Sequence, residues 1–258
     1  MRAAGITAGA FLLGRFTSRA AAPSPVAGDE SSPVEWKPVA LNPQEVAASA
    51  YEHYSQGGCM YASFKAICIS MARATAHTNP PLSKAIFQFP FWFAQYGRGG
   101  LGGQGSLCGV VNGACAALSL FVSEKTTQDA MIAELCGYYE TAQLPLFVPQ
   151  TEKSELDPMP RSAAGSILCH ISQTAWCRKS AQSPFSTIRK ERCKRLAADI
   201  AAKAVEILNC HITNTEAGLK SPNRDTRYCL DCHGKEGPVK DIAAKTACTP
   251  CHTVQYHQ

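Results

Sequence analysis

The C-terminal end of the chain contains one short motif twice, and nothing else in the sequence restricts its folding so tightly. The motifs are Cys229-Leu230-Asp231-Cys232-His233 and Cys248-Thr249-Pro250-Cys251-His252, with fifteen residues between Cys232 and Cys248. Two Cys-x-x-Cys pairs at that distance would satisfy a zinc ribbon, in which four thiolates close a tetrahedral site. A ribbon does not need the histidine that follows each pair, whereas covalent haem attachment does. Two thiols add across the porphyrin vinyl groups, and the adjacent imidazole takes an axial position at iron. The motifs therefore predict two haem c groups per chain, attached at Cys229, Cys232, Cys248 and Cys251, with His233 and His252 as proximal ligands. Beyond Asn209 the sequence is polar and turn-rich, so residues 211–258 form a tail organised by its cofactors.

The start of the chain agrees with chemistry carried out beyond the cytoplasm. Residues 1–28 read as an export signal: Met1-Arg2, a weakly apolar stretch from Gly5 to Gly14, then Ala20-Ala21-Ala22-Pro23. Arg15 and Arg19 interrupt it, which suits a twin-arginine signal truncated at its start. It is far short of the roughly 20 apolar residues that span a bilayer, so a periplasmic protein without a transmembrane segment is expected. The net charge is only +5 and long charge runs are lacking, which gives no footing for nucleic acid.

Between a linker (29–42) and the tail, the periodicity predicts a mainly α domain over 43–210. Asn42 is a capping residue before Pro43, and the helix it starts should end at Gly57-Gly58, with a second helix from Cys59 to about Ala74. Pro90 should break the aromatic segment 86–93, which reads as core packing. Gly97–Gly105 holds six glycines and can approach another backbone or a cofactor closely, but it lacks the Lys-Ser/Thr ending of a phosphate loop. Further helices are expected over Ser106–Val122, Thr127–Tyr139, about Gly165–Arg178 and Thr187–Leu208.

Thirteen cysteines leave nine outside the haem motifs. For Cys68, Cys115, Cys136 and Cys210 the expectation is a disulfide or a small apolar core residue. The others fall in a pattern: Gly58-Cys59-Met60-Tyr61-Ala62, Gly105-Ser106-Leu107-Cys108-Gly109, then Cys169 and Cys193. This order resembles the redox-active cysteine family named after its GCAxxG motif, with Met60 where alanine is expected and Ser63 where glycine is. With the haem tail, and with Gly165-Ser166-Ile167-Leu168-Cys169-His170 and Cys177, the chain from about residue 43 to its end is similar to the split-Soret cytochromes c.

That resemblance implies a homodimer with two closely packed haems per subunit near the interface, each with two histidine ligands, and an iron–sulfur centre in the helical domain. It implies cluster thiolates drawn from Cys59, Cys108, Cys169, Cys177 and Cys193, of which a two-iron cluster uses at most four, with Cys108, Cys177 and Cys193 ranked first. His170 and His257 are the distal ligands it suggests, with His211 and His53 as substitutes. Met159 is the one loop methionine available for iron. The chain is accordingly expected to be an electron carrier or store exchanging with unidentified redox partners. The competing reading is an oxidoreductase that reduces a small molecule at an open haem or cluster position.

Overall fold

The computed structural model describes residues 34–150, 156–215 and 224–252. The export signal and His257 lie outside them. The described residues form seven α-helices and one 3₁₀ helix, with two isolated antiparallel bridges in place of strands. The fold is mainly α.

Helix α1 spans Pro43–Ala74 and opens as the sequence predicts, with the Asn42 side chain accepting from Gln44 N–H and proline in the first turn. It is broken once, at Gly58 (φ 82°, ψ −168°), a backbone conformation that a side chain would strain. The break redirects the chain so that Cys59 starts a second, almost wholly buried helical run through Ala72. Helix α2 (Pro80–Phe87) stops before Pro90, and the 3₁₀ turn Phe91–Gly97 follows. The aromatic segment between them is only half core. Phe89, Phe91 and Phe93 surround Phe64 at ring distances of 5.6–5.7 Å, whereas Phe87 and Trp92 are exposed (55% and 71%). Core packing throughout 86–93 is therefore corrected: Phe87 lies on the outer side of α2, and Trp92 and Phe93 reach the surface in the 3₁₀ turn.

Helix α3 (Gly109–Phe121) packs on the Met60 turn of α1 through glycines one turn apart. A Cβ on Gly109 would meet Cys59 and the Gly97 carbonyl, and one on Gly113 would meet the Met60 carbonyl and Ser63. Ser63, standing where the motif has glycine, keeps its hydroxyl on its own helix, at 3.3 Å from the Cys59 carbonyl. The helix starts three residues later than expected because 106–108 are extended and bridged to 167–169. Helix α4 (Lys125–Thr141) is capped by Glu124, whose carboxylate accepts from Thr126 and Thr127 N–H at 2.8 and 2.6 Å. Helices α5 (Cys169–Ser180) and α6 (Thr187–Ile212) complete the bundle. Segment 34–42 lies against it, with the Trp36 ring 6.1 Å from Phe121 and both backbone polar groups of Leu41 bonded to the Asn209 side chain. In the tail, the first haem motif is itself helical (α7, Arg224–His233). Cys68 is a buried core residue, and Cys115 and Cys136 bring their thiols into contact across α3 and α4.

Helix α6 buries three charged side chains on its inner stripe: Arg192, Arg195 and Asp199. Arg195 is matched by Asp157 (2.7 and 3.2 Å) and Glu191 (2.8 Å). Asp199 accepts from Leu146 and Phe147 N–H, each at 2.8 Å, and so fixes the connector after α4. Burial outweighs those two bonds and raises the Asp199 carboxyl from 3.8 to about 6. The folded protein therefore holds this proton more tightly than the unfolded chain, and the contribution to stability is lost as pH rises from 3.8 to about 6. Replacing Asp199 with Asn should remove that loss. Thermal unfolding across the window should show the variant gaining on the wild type by roughly 2–3 kcal/mol as pH rises, and parallel pH profiles would refute the assignment.

A four-thiol cavity and the paired haem motifs

The centre of the bundle is organised by a short antiparallel bridge between residues 105–108 and 167–170. Cys108 N–H donates to the Ile167 carbonyl (2.8 Å), Cys169 N–H to Ser106 (2.6 Å) and His170 N–H to Gly105 (3.0 Å). The bridge sets the start of α3 beside the start of α5. Cys108 is the N-terminal cap of one helix and Cys169 the first residue of the other. Thiolates are favoured at helix N-termini, where unpaired N–H groups and the helix dipole face them.

Cys59 from α1 and Cys193 from α6 close the ring. A cavity of about 40 Å³ is lined by these four thiols together with Tyr54, Gln173, Arg189 and Arg192. Room for a water needs only about 10–15 Å³, so the cavity admits something larger. Among the described residues no three His, Cys, Asp or Glu side chains converge closely enough to bind a single ion. Four thiols arranged around a space, and not on a point, suit a centre with more than one metal atom.

The thiols are electrostatically unequal. The neighbouring Cys169 thiol lowers Cys108 to about 6 against the opposing effect of burial, and Cys169 is raised by the same contact. Burial, with Cys108 and Cys193 nearby, pushes Cys59 up to about 12. Cys177 is outside the lining, half-buried on α5 near Cys193 and the two arginines. Two buried donor atoms beside the thiols complete no full hydrogen bond within the protein. Arg192 Nε and Tyr139 Oη are both without a hydrogen-bond partner.

His170 follows Cys169 and points the other way. Its side chain is exposed, with Nδ1 2.8 Å from the Gly105 carbonyl. A carbonyl only accepts, so Nδ1 carries the proton and Nε2 presents its lone pair outward, the tautomer of a metal-binding imidazole. In the tail, His233 Nδ1 lies 2.8 Å from Asp241 Oδ1, the orienting contact of a ligating histidine. His252 is exposed. The first thiols of the two motifs, Cys229 and Cys248, stand against each other. Met159 is buried at 6% exposure.

Glu140, at the end of α4, joins tail and bundle. Its carboxylate accepts from Ala247 N–H (3.2 Å), the Thr246 hydroxyl (3.4 Å) and Ile167 N–H, and its carbonyl accepts from Gly165 N–H (2.9 Å). Burial raises its pKa against those bonds. One side chain thus ties the residue before Cys248 to the loop before Cys169.

The pattern of the family described as "Putative redox-active protein (C_GCAxxG_C_C)" matches residues 61–207, more than half of the chain. This places the chain in a class defined by recurring cysteines on a helical scaffold. The "Split-Soret cytochrome c" of Desulfovibrio desulfuricans (strain ATCC 27774 / DSM 6949 / MB) is 36% identical over 225 residues, 84% of this chain and 77% of the relative. A solved structure described as "A novel iron centre in the split-Soret cytochrome c from Desulfovibrio desulfuricans ATCC 27774" superposes with a TM-score of 0.74 at 33% identity, covering 86% of this chain and 91% of the other. The chain belongs to the split-Soret cytochrome c family. Among the described residues no helix is long and apolar enough to cross a membrane.

Replacing Glu140 with Ala should free the tail from the bundle. Limited proteolysis should then cut between residues 234 and 247 at least tenfold faster, while helical circular dichroism from the bundle stays unchanged. Equal cleavage rates would show that other contacts hold the tail.

Proposed function

We propose that this chain is a periplasmic c-type cytochrome that carries two covalent haems and an iron–sulfur centre and works in electron transfer as a homodimer. The observation that carries the reading is the Glu140 junction, which holds the approach to the second haem motif against the loop bearing Cys169 and His170. A redox centre on one side and a haem on the other gain from such closeness only if electrons pass between them.

Each residue has a part in this reading. Cys229, Cys232, Cys248 and Cys251 form thioether bonds, and His233 and His252 hold the irons from one side. His170 supplies a distal imidazole to one of them, with its ring fixed by Gly105. His257 is proposed for the other, with His211 or His53 as the substitute. Cys59, Cys108, Cys169 and Cys193 hold the second centre, and Cys177 is the reserve thiol. A two-iron cluster is favoured, because at most four thiolates serve it. When bound, haems and cluster take up and release single electrons, and full histidine ligation sets the haem potentials low compared with Met/His pairs. The relative's name and its iron centre support this reading.

Purified protein should keep two haems per chain through acid–acetone extraction and should contain acid-labile sulfide and non-haem iron. Free haem in the extract, or zinc in stoichiometric amount, would reject the haem assignment. Iron equal to haem alone would reject the cluster. A high-spin signal or carbon monoxide binding in the native reduced protein would instead support catalysis at an open iron.

The role of His170 is tested separately. His170→Ala should leave both haems attached and convert one iron from low to high spin, read from the optical and paramagnetic resonance spectra. Two low-spin irons with unchanged potentials would make His170 structural.

A further inference from the structure

Two arginines one turn apart on α6 are both buried, yet the protein provides for them differently. Arg195, 1% exposed, is neutralised by Asp157 and Glu191. Arg192, 2% exposed, has no carboxylate in contact. Its Nη2 donates to Ser172 Oγ at 2.9 Å, and its Nε has no partner. The nearby carboxylate of Asp199 is turned to the Leu146 and Phe147 N–H groups. The polar atoms facing Arg192 are the Cys193 and Cys108 sulfurs and the Tyr139 hydroxyl. Tyr139 is itself fully buried, and its hydroxyl has Cys108 and Ser172 as close polar neighbours without completing a full hydrogen bond to either.

Holding a guanidinium in a protein interior with no carboxylate in contact costs several kcal/mol that more distant charges repay only in part, and a buried donor without an acceptor costs about 1–3 kcal/mol more. Two such donors flanking one four-thiol cavity indicate that their acceptor is the group which fills it. That group must be anionic and must offer acceptor atoms on the side facing Arg192 and Tyr139. Thiolate-ligated iron with bridging sulfides meets both conditions.

We infer that Arg192 is the counter-charge of the metal centre and that Tyr139 is a second donor to it, so that this pair sets the centre's reduction potential and couples its insertion to the folding of α5 against α6. The inference rests on the iron–sulfur reading above. Both are positioning residues, acting on the centre's charge and not on its thiolate bonds. A fixed positive charge stabilises the reduced, more negative form, so Arg192 raises the potential. In the empty protein the same charge is a liability.

The test is made on the full dihaem protein with Arg192→Met, Arg192→Lys and Tyr139→Phe, with and without removal of the cluster iron by an anaerobic chelator. The haems are covalent and stay in both states. Arg192→Met should lower the cluster's midpoint potential by at least a tenfold change in the reduction equilibrium, about 59 mV for one electron. Tyr139→Phe should lower it by less, and Arg192→Lys should keep it near the wild-type value. Stability should change sign with loading: Arg192→Met should unfold earlier than wild type with the cluster present and later than wild type after its removal. A potential unmoved by Arg192→Met, or destabilisation in both states, would overturn the inference while leaving a cluster in place. Absence of labile sulfide in the wild type would overturn it together with the reading on which it rests.

Discussion

The arrangement depends on three backbone hydrogen bonds, those of the bridge between residues 105–108 and 167–170. Helix packing alone brings α1, α3 and α6 together, but it does not decide where the helices begin. The bridge does, because it holds 106–108 extended until Cys108 and 167–168 extended until Cys169. Two thiols are thereby delivered at two helix N-termini, where each thiolate meets unpaired N–H groups. The same pairing turns His170 outward and gives its Nδ1 the Gly105 carbonyl. Thiol orientation, imidazole tautomer and the relative placement of two helices follow from one piece of irregular backbone. The glycine-rich stretch before it makes this possible: a Cβ on Gly100 would collide with Ser106 N and Cys169, and one on Gly105 would press on His170 at 3.1 Å.

Electrostatics adds a second layer. Five charged side chains are buried among the described residues, and four have partners that explain them, Glu134 being paired with Lys203 at 3.6 Å. Arg195 binds two carboxylates, Asp199 fixes the connector after α4, and Glu140 gathers donors from the tail and the loop before Cys169. Each joins segments distant in sequence, which is the use a fold makes of a buried charge when its hydrogen bonds are complete. Arg192 is the exception in having no carboxylate in contact, and its position beside the thiols ties its unpartnered Nε to what would occupy the cavity.

Much of this was legible in the sequence. The two Cys-x-x-Cys-His motifs are plain in the sequence, and the haem attachment proposed for them rests on the histidine that follows each pair. The start of α1 follows from Asn42 and Pro43, and its break from Gly57-Gly58. Helix α6 follows from its period. What was not legible is long-range. The pairing of 105–108 with 167–170 spans about sixty residues and carries no hydrophobic alternation, so α3 and α5 are expected to begin earlier than they do. The role of Glu140 is hidden for the same reason, since nothing local distinguishes it from a solvated glutamate on a helix. The tail reads as irregular because its apolar content is low, yet α7 forms across the first motif. Arg192 did leave a signal. It lies four residues before Leu196 and eight before Ile200, on the apolar stripe of α6, where a solvated arginine does not belong.

The difference between Cys177 and Cys193 shows how the structure refines a pattern. Both are helical, both follow the Gly165–Cys169 segment, and the family resemblance treats them alike. Cys193 lines the cavity from α6, which α1 and α3 hold in the core. Cys177 is eight residues beyond Cys169 on α5, a little over two turns on. Its thiol therefore lies further along the helix than the N-terminal turn that faces the cavity. It remains close to Cys193 and to Arg189 and Arg192, so its thiolate would have cations beside it at the edge of the site. Ser172 on α5 accepts from Arg192 on α6, and this contact holds the two helices that carry Cys177 and Cys193 in their present register. In the proposed centre the contact that holds Arg192 therefore also opposes an exchange of Cys193 for Cys177.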